Sequence, residues 1–143
     1  MVALLQHDPG EQVRREAAHV LKRWSSERDL DPTPHLLHAL RHDPSGRVRG
    51  EAAEGLGWRR RGTTRVEAAL AEGLADADPH PRLWCLYAVG QLSLHALRPQ
   101  VEALVSDPGR AEAWWTVGEE TSDVLIWWDT GTWPDRSPPS NED

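Results

Sequence analysis

The chain has 143 residues, enough for about one domain, and a formal net charge of −7. This acidic balance argues against a protein that binds nucleic acid along its whole length, because neutralising phosphates needs a surplus of Lys and Arg. Hydrophobic residues make up 38% of the chain and charged residues 27%, as in soluble globular proteins. The strong preference for Arg over Lys and the absence of Phe are typical of a GC-rich genome and predict a bacterial source.

Cysteine usage and hydropathy predict the compartment. Cys85 is the only cysteine, so no intrachain disulfide can form. The first residues have neither the basic region nor the long apolar run of a signal peptide. The longest uncharged stretch in the apolar middle of the chain, residues 83–97, is shorter than the roughly 20 apolar residues of a membrane-spanning helix. We therefore expect a cytoplasmic protein that does not enter a membrane.

The sequence repeats itself at a step of 35 residues. His7-Asp8-Pro9 recurs as His42-Asp43-Pro44, and the Val-Arg and Ala-Ala pairs that follow recur at the same step. A third copy begins at Asp78-Pro79 and a looser fourth copy at Asp107-Pro108. Between these pairs the apolar residues recur at i, i+4, i+5 and i+8, which is the spacing of one helix face. Each unit is predicted to be a first helix (helix A), an Asp-Pro turn and a second helix (helix B).

These features resemble HEAT repeats, specifically the short bacterial type related to phycobilisome-lyase repeats. The resemblance implies an all-α fold, an α-solenoid of about three and a half helical hairpin repeats. The predicted array spans residues 1–118, with repeats at about 1–28, 29–62, 63–94 and 95–118. An aromatic C-terminal cap is predicted at 119–133, because five of the eight tryptophans follow residue 110. The Pro- and Ser-rich tail, 134–143, is predicted to be disordered.

The resemblance also implies a ladder in which the turn Asp and an Arg early in helix B connect neighbouring repeats. The predicted ladder residues are Asp8, Arg14, Asp43, Arg49 and Asp78. At the step of 35, Trp84 stands where the third ladder Arg belongs. These charged residues are interpreted as structural, since Asp caps a helix and Arg satisfies carbonyl or carboxylate groups.

Other residues with chemical potential do not form a recognisable active site. His35, His38 and His42 share one face of a predicted helix, but no further ligand accompanies them in a known metal motif. Cys85 lies among apolar residues, which favours an inert buried thiol over a nucleophile. We expect no catalytic, cofactor-binding or metal-binding residues.

A partner-binding surface is predicted on the helix B side. It would consist of outward-facing residues of the first two repeats and a basic edge, namely Glu16, His19, Glu51, Glu54, Trp58, Arg59, Arg60 and Arg61. Trp and Arg are frequent in interaction hot spots. Trp24 lies at nearly the same point one repeat before Trp58. Residues 1–65 carry a net charge of +3 and residues 66–143 one of −10, so the basic edge belongs to a mildly basic half.

The third helix B is apolar nearly all round, because Leu86 and Val89 stand where the first two repeats have polar residues at the step of 35. A helix that is hydrophobic on every side must be covered on every side. One interpretation is that the C-terminal segment covers it. The alternatives are a partner protein or a homodimer through Leu86 and Val89.

The function predicted from these patterns is a non-catalytic scaffold or adaptor that binds a protein partner on its helix B surface. Two alternatives stay open from the resemblance. One is a nucleic-acid-binding protein, regulatory or similar to the HEAT-like DNA glycosylases, for which Trp58 beside Glu54 is the relevant pair. The other is an enzyme similar to bilin lyases.

Overall fold

The computed structural model describes residues 2–23, 31–112 and 114–136, and this part of the chain is an all-α solenoid with one small β-hairpin. The elements are, in chain order, α1 (Val2–His7), α2 (Glu11–Arg23), α3 (Thr33–His42), α4 (Gly46–Trp58), α5 (Thr64–Gly73), α6 (Pro79–Gln91), a 3₁₀ turn (His95–Leu97), α7 (Arg98–Glu102), β1 (Arg110–Glu112), β2 (Trp115–Thr116) and α8 (Val117–Thr130).

The helices form two layers. The second helices of the hairpins, α2, α4, α6 and α8, pack side by side in that order. The first helices α1, α3 and α5 pack against their partners and against each other. The predicted succession of helical hairpins is therefore confirmed. In the fourth unit the antiparallel pair of β1 and β2 is inserted between the short first helix α7 and the second helix α8.

The core lies between the two layers and combines leucine and valine side chains with small residues of the second helices. Ala17, Ala18 and Leu21 of α2 are at most 1% exposed, and so are their counterparts in α4, Ala52, Ala53 and Leu56. Adjacent alanines allow neighbouring helices to approach closely, and the leucine one turn later fills the space between the layers. In α6 the equivalent positions are Cys85, Leu86 and Val89, all buried.

Each turn between the helices of a hairpin is closed by an aspartate. The carboxylate of Asp8 accepts a hydrogen bond from the backbone N–H of Gly10 at 2.8 Å. The same Asx turn recurs at Asp43, Asp76 and Asp107. The steps between these aspartates are 35, 33 and 31 residues, so the repeat shortens along the chain.

A ladder of arginines connects the turns. Arg14 donates through Nε and Nη2 to the carboxylate of Asp43, at 2.9 and 3.2 Å, and through Nη1 to the carbonyl oxygen of Asp8. Arg49 makes the same contacts with Asp76 of the next hairpin and with the carbonyl of Asp43. The predicted ladder contacts of the first two repeats are therefore present.

The prediction is wrong for the third repeat. Asp78 is not a ladder residue but the N-cap of α6, where its side chain accepts from the N–H of His80. The ladder aspartate is Asp76, and the ladder arginine is Arg82, which donates to Asp107 and to the Asp76 carbonyl. Trp84 therefore does not replace the ladder Arg. The mistake arose because the third unit is two residues shorter, and Asp78-Pro79 falls by coincidence on the step of 35.

The two-residue shift in register also changes which residues of α6 face the core. Leu86 and Val89 are 0% exposed and belong to the core between the layers, where they match Ala53 and Leu56. They are not on the outer surface, so the predicted homodimer through Leu86 and Val89 is wrong. The outward positions of α6 are Trp84 and Tyr87.

Helix α8 lies along the C-terminal side of α6 and contains most of the predicted segment 119–133. It begins with a capping box, in which Thr116 and Glu119 each accept a hydrogen bond from the other's backbone N–H. Val117 and Val124 of α8 are fully buried, and α8 packs against α6. Trp24 and tail residues 137–143 lie outside the described residues.

Candidate functional site

The predicted acidic surface residues of α4 are engaged within the chain. The Nζ of Lys22 lies 2.8 Å from Glu54 and 3.7 Å from Glu51. Glu51 is also 3.7 Å from His19 and 3.8 Å from Arg15. The ion pairs with Lys22 and Arg15 connect α2 to α4 and leave less negative charge for a partner than the sequence predicts.

The predicted basic edge is divided. The guanidinium of Arg59 is only 11% exposed and lies 3.4 Å from the carboxylate of Asp31. Arg60 and Arg61 are exposed on the turn that follows α4. The structure therefore leaves Arg60 and Arg61, but not Arg59, as an accessible part of this edge.

Trp58 is the most accessible aromatic residue of the predicted surface. It ends α4 and is 51% exposed, although Lys22 Nζ lies 5.6 Å from its ring centroid. An exposed tryptophan held at the end of a helix is a typical anchor for an interaction.

Trp58 lines a cleft of about 320 Å³ that lies between α4, α6 and the β-hairpin. We call this the aromatic cleft. Five aromatic residues line it, namely Trp58, Trp84, Tyr87, Trp114 and Trp115. The remaining lining residues are Glu54, Leu83, Glu120 and Arg136.

Two elements bring the aromatic rings together. Trp84 and Tyr87 are three residues apart on α6, so they point from the same face, and their rings meet edge-on with centroids 5.5 Å apart. Gly50 of α4 makes room for Trp84, since a Cβ there would lie 2.9 Å from the indole Cδ1. Trp114 and Trp115 come from the β-hairpin, with centroids 5.0 Å apart.

A buried carboxylate holds one wall of the cleft. Glu120 of α8 is 2% exposed, accepts from Trp115 Nε1 at 2.8 Å and accepts from Arg136 Nη2 at 3.1 Å. Burial raises the pKa of Glu120, against the lowering effects of Arg136 and Trp115. Arg136 also pairs with Asp123 at 3.0 Å and stacks over the Trp133 ring at 4.4 Å. Trp115 and Arg136 are therefore held in place by the same carboxylate.

The surroundings of Tyr87, which lines the cleft, favour the protonated phenol. Burial raises the pKa of Tyr87, and the nearby carboxylates of Glu54 and Glu120 raise it further. The phenol is therefore uncharged at neutral pH.

Sequence reasoning predicted Trp58 and Glu54 on this surface but missed Trp84, Tyr87, Trp114, Trp115 and Glu120. A signal for two of them was present. When the repeats are aligned by the Asp and Arg that are six residues apart, and not by Asp-Pro, Trp84 and Tyr87 take the outward positions that Glu51 and Glu54 have in the second repeat. The contribution of the β-hairpin and of Glu120 had no counterpart in earlier repeats.

The remaining candidates do not form a site in the described part of the chain. The rings of His38 and His42 lie 4.7 Å apart. No group of three or more His, Cys, Asp or Glu side chains with metal-binding geometry occurs among the described residues. Cys85 is fully buried, and burial raises the pKa of its thiol well above the ordinary value.

Within residues 2–23, 31–112 and 114–136, every helix is too short or too polar to span a membrane.

Comparison with known proteins identifies the architecture. A family model described as HEAT repeats matches residues 33–117, which is more than half of the chain. No curated protein matches the chain. The family match covers the second and third hairpins, which carry the ladder arginines Arg49 and Arg82, and most of the aromatic cleft, in agreement with the layered helical hairpins. The chain belongs to the HEAT-repeat family.

Proposed function

We propose that the protein is a non-catalytic binding scaffold whose aromatic cleft receives a segment of a protein partner. HEAT repeats generally serve as protein-interaction scaffolds. The observation that carries the proposal is the exposure of two tryptophans, Trp58 at 51% and Trp114 at 38%, on opposite sides of a cleft lined by further aromatic rings.

The composition of the cleft supports a protein ligand. Trp and Tyr provide large contact areas and few rotatable bonds, so little conformational entropy is lost on binding. The cleft volume of about 320 Å³ suits one or two side chains of a partner rather than a whole domain. The rest of the contact would extend over the helix B surface, along Glu16, His19 and the exposed Arg60 and Arg61.

Nucleic acid is the second candidate, and the charges of the cleft favour it less. Glu54 and Glu120 both line the aromatic cleft, where their carboxylates would repel phosphates. Arg59, one of the three predicted basic residues of the edge, already faces Asp31. A nucleobase-binding role would rely mainly on stacking, because Arg136, which lines the cleft, already pairs with Glu120 and Asp123.

Affinity capture with the full chain, before and after nuclease treatment, tests the proposal. The bait variants are Trp58→Ala and a matched control, Ile126→Ala, which removes another exposed apolar side chain, 44% accessible, from α8. We expect protein partners that withstand nuclease, that bind the Ile126→Ala bait, and that are lost from the Trp58→Ala bait. Capture that disappears with nuclease, or that is equal for both variants, would contradict the proposal.

A further inference from the structure

The lining of the aromatic cleft carries more negative than positive charge. Among the described residues that line it are two carboxylates, Glu54 and Glu120, and one cation, Arg136. The Arg136 guanidinium lies 3.1 Å from Glu120 and 3.0 Å from Asp123, whose side chains are 2% and 10% exposed. Because this cation is shared between two buried carboxylates, it does not neutralise the lining.

The phenol of Tyr87 indicates the sign of the electrostatic potential inside the cleft. Burial is the main cause that raises the pKa of Tyr87. The carboxylates of Glu54 and Glu120 raise it further, and their effect exceeds the lowering by Arg136 and Arg60. A phenol keeps its proton more tightly where the surrounding charge is negative. A cation that enters the cleft is therefore attracted, whereas a carboxylate or a phosphate is repelled.

The fold already holds two of its own cations by a tryptophan and a carboxylate together. The Nζ of Lys22 lies 2.8 Å from Glu54 and 5.6 Å from the centroid of the Trp58 ring. Arg136, which pairs with the buried carboxylates, lies 4.4 Å from the Trp133 ring. An aromatic ring attracts a cation over its face, and the attraction is stronger where water is excluded. The same combination of groups can bind a basic side chain from outside.

Further aromatic rings surround the space that such a side chain would enter. Trp84, Tyr87, Trp114 and Trp115 line the open volume of about 320 Å³, and Trp114 is 38% exposed. The methylene groups of a lysine or arginine can pack along apolar surface while the charged end stays beside polar groups. An apolar side chain would make the same contact with the rings, but the carboxylates would not attract it.

We propose that the partner segment inserts a basic side chain, a lysine or an arginine, into the aromatic cleft. This inference rests on the proposed function and specifies the chemistry of the ligand. The cation lies among the aromatic rings and is attracted to Glu54, which is the more accessible of the two lining carboxylates, with 14% of its side chain exposed against 2% for Glu120. Asp and Glu are expected to be rare in the part of the segment that enters the cleft.

Selection from a random library of short peptides displayed on phage tests the proposal with the full chain as bait. Peptides that also bind the Trp58→Ala variant are removed. We expect the remaining peptides to share one Lys or Arg at a fixed position. A synthetic peptide of the enriched sequence is then compared with the same peptide carrying Met or Gln at that position. Loss of the cation should weaken binding roughly 5- to 30-fold, measured by fluorescence titration.

A pair of protein variants tests the role of the carboxylate. Glu54→Gln should weaken the basic peptide by about fivefold or more and leave the Met peptide within about twofold. The matched control is Glu72→Gln on α5, because Glu72 also pairs with a cation of the preceding hairpin, Arg41 at 3.1 Å, but does not line the cleft. It should change neither affinity. The peptide comparison needs no change in the protein, so it holds even where Glu54→Gln impairs folding.

The outcomes separate this inference from the proposed function. Peptides that depend on Trp58 but are anchored by an apolar or acidic residue would overturn the inference and leave the proposed function standing. The same holds for a basic residue that Met replaces without loss of affinity. A selection that yields no peptide dependent on Trp58 would contradict both.

Discussion

Arg49 of α4 donates two hydrogen bonds of 2.9 Å to the carboxylate of Asp76 in the next hairpin. Asp76 lies two residues before Asp78, the aspartate of the Asp-Pro pair. Asp76 in turn accepts from the N–H of Asp78, whose own side chain caps α6. Asp76 therefore connects two hairpins, while Asp78 caps the N-terminus of α6.

Replacing each aspartate with asparagine separates these tasks. Asp76→Asn keeps the Asx turn but removes the charge that faces Arg49, and we expect a loss of about 1.5–3 kcal/mol in the free energy of unfolding. Asp78→Asn should cost within about 0.5 kcal/mol, since Asn is as good an N-cap as Asp. Urea denaturation of both variants measures the difference. Equal losses would show that the ladder position is assigned incorrectly.

Gly73 of α5 allows the close contact between α5 and α6, because Cys85 Sγ of α6 lies where a Cβ on residue 73 would be. A Cβ on Gly73 would collide with Cys85 Sγ. Gly73→Ala is therefore expected to destabilise the protein by about 1–3 kcal/mol, although alanine favours a helix over glycine by up to about 1 kcal/mol.

Removing the thiol should relieve this collision. Cys85→Ala alone leaves a small cavity, while the double variant Gly73→Ala/Cys85→Ala should lose less stability than the sum of the two single losses. Thermal or chemical denaturation of the four proteins gives the coupling free energy. Additive losses would mean that Gly73 is required for a different reason.

The Arg136 contact predicts a specific pH dependence. Burial already raises the pKa of Glu120 above its ordinary value, and burial raises that of Asp123 as well. Arg136→Gln removes the cation that opposes this effect, so both folded-state pKa values rise further while the unfolded values, about 4, are unchanged. When the pKa of an acid is higher in the folded than in the unfolded state, the free energy of unfolding falls as pH rises from the unfolded-state pKa to the folded-state pKa.

The loss caused by Arg136→Gln should therefore be larger at pH 8 than at pH 5, reaching about 1–3 kcal/mol at pH 8. Urea denaturation at both pH values measures it, with Arg65→Gln as the control because Arg65 is exposed on α5. A loss that is independent of pH, or greater at pH 5, would contradict the assigned contact between Arg136 and the buried carboxylates.

The thiol of Cys85 should be unreactive in the folded protein. It is 0% exposed, and burial raises its pKa, so neither access nor thiolate is available at neutral pH. We expect labelling by a thiol reagent at pH 8 to be at least about 100-fold slower in buffer than in denaturant, because it must wait for opening of the structure. Rapid labelling of the native protein would show that α5 and α6 do not enclose this residue.

The ladder shows how much of the fold was predictable. The register of Arg14 and Arg49 in the structure is the one that the step of 35 predicts, because the first two repeats have the same length. The third unit is two residues shorter, and the error in register then moved Leu86 and Val89 from the core to the surface. A helical position changes its face with a shift of two residues, since each residue turns the helix by about 100°.

The candidate site was less predictable than the fold. Trp58 could be placed on the surface because it is the last residue of a regular helix. Trp114, Trp115 and Glu120 belong to the fourth unit, where a β-hairpin interrupts the repeat, and no earlier copy indicates where their side chains point. The carboxylate of Glu120 was ordinary in sequence, and only its burial against Trp115 and Arg136 gives it a role.

The amino-acid sequence alone determined the helical hairpins and the resemblance to the family, because helix periodicity and the Asp–Arg turn act over distances of a few residues. The tertiary structure decided which aspartate each arginine reaches, since those partners are 29, 27 and 25 residues apart and their pairing depends on how the hairpins stack. It also decided where the tryptophans meet. These features arise from packing between repeats of unequal length, which a periodic pattern does not describe.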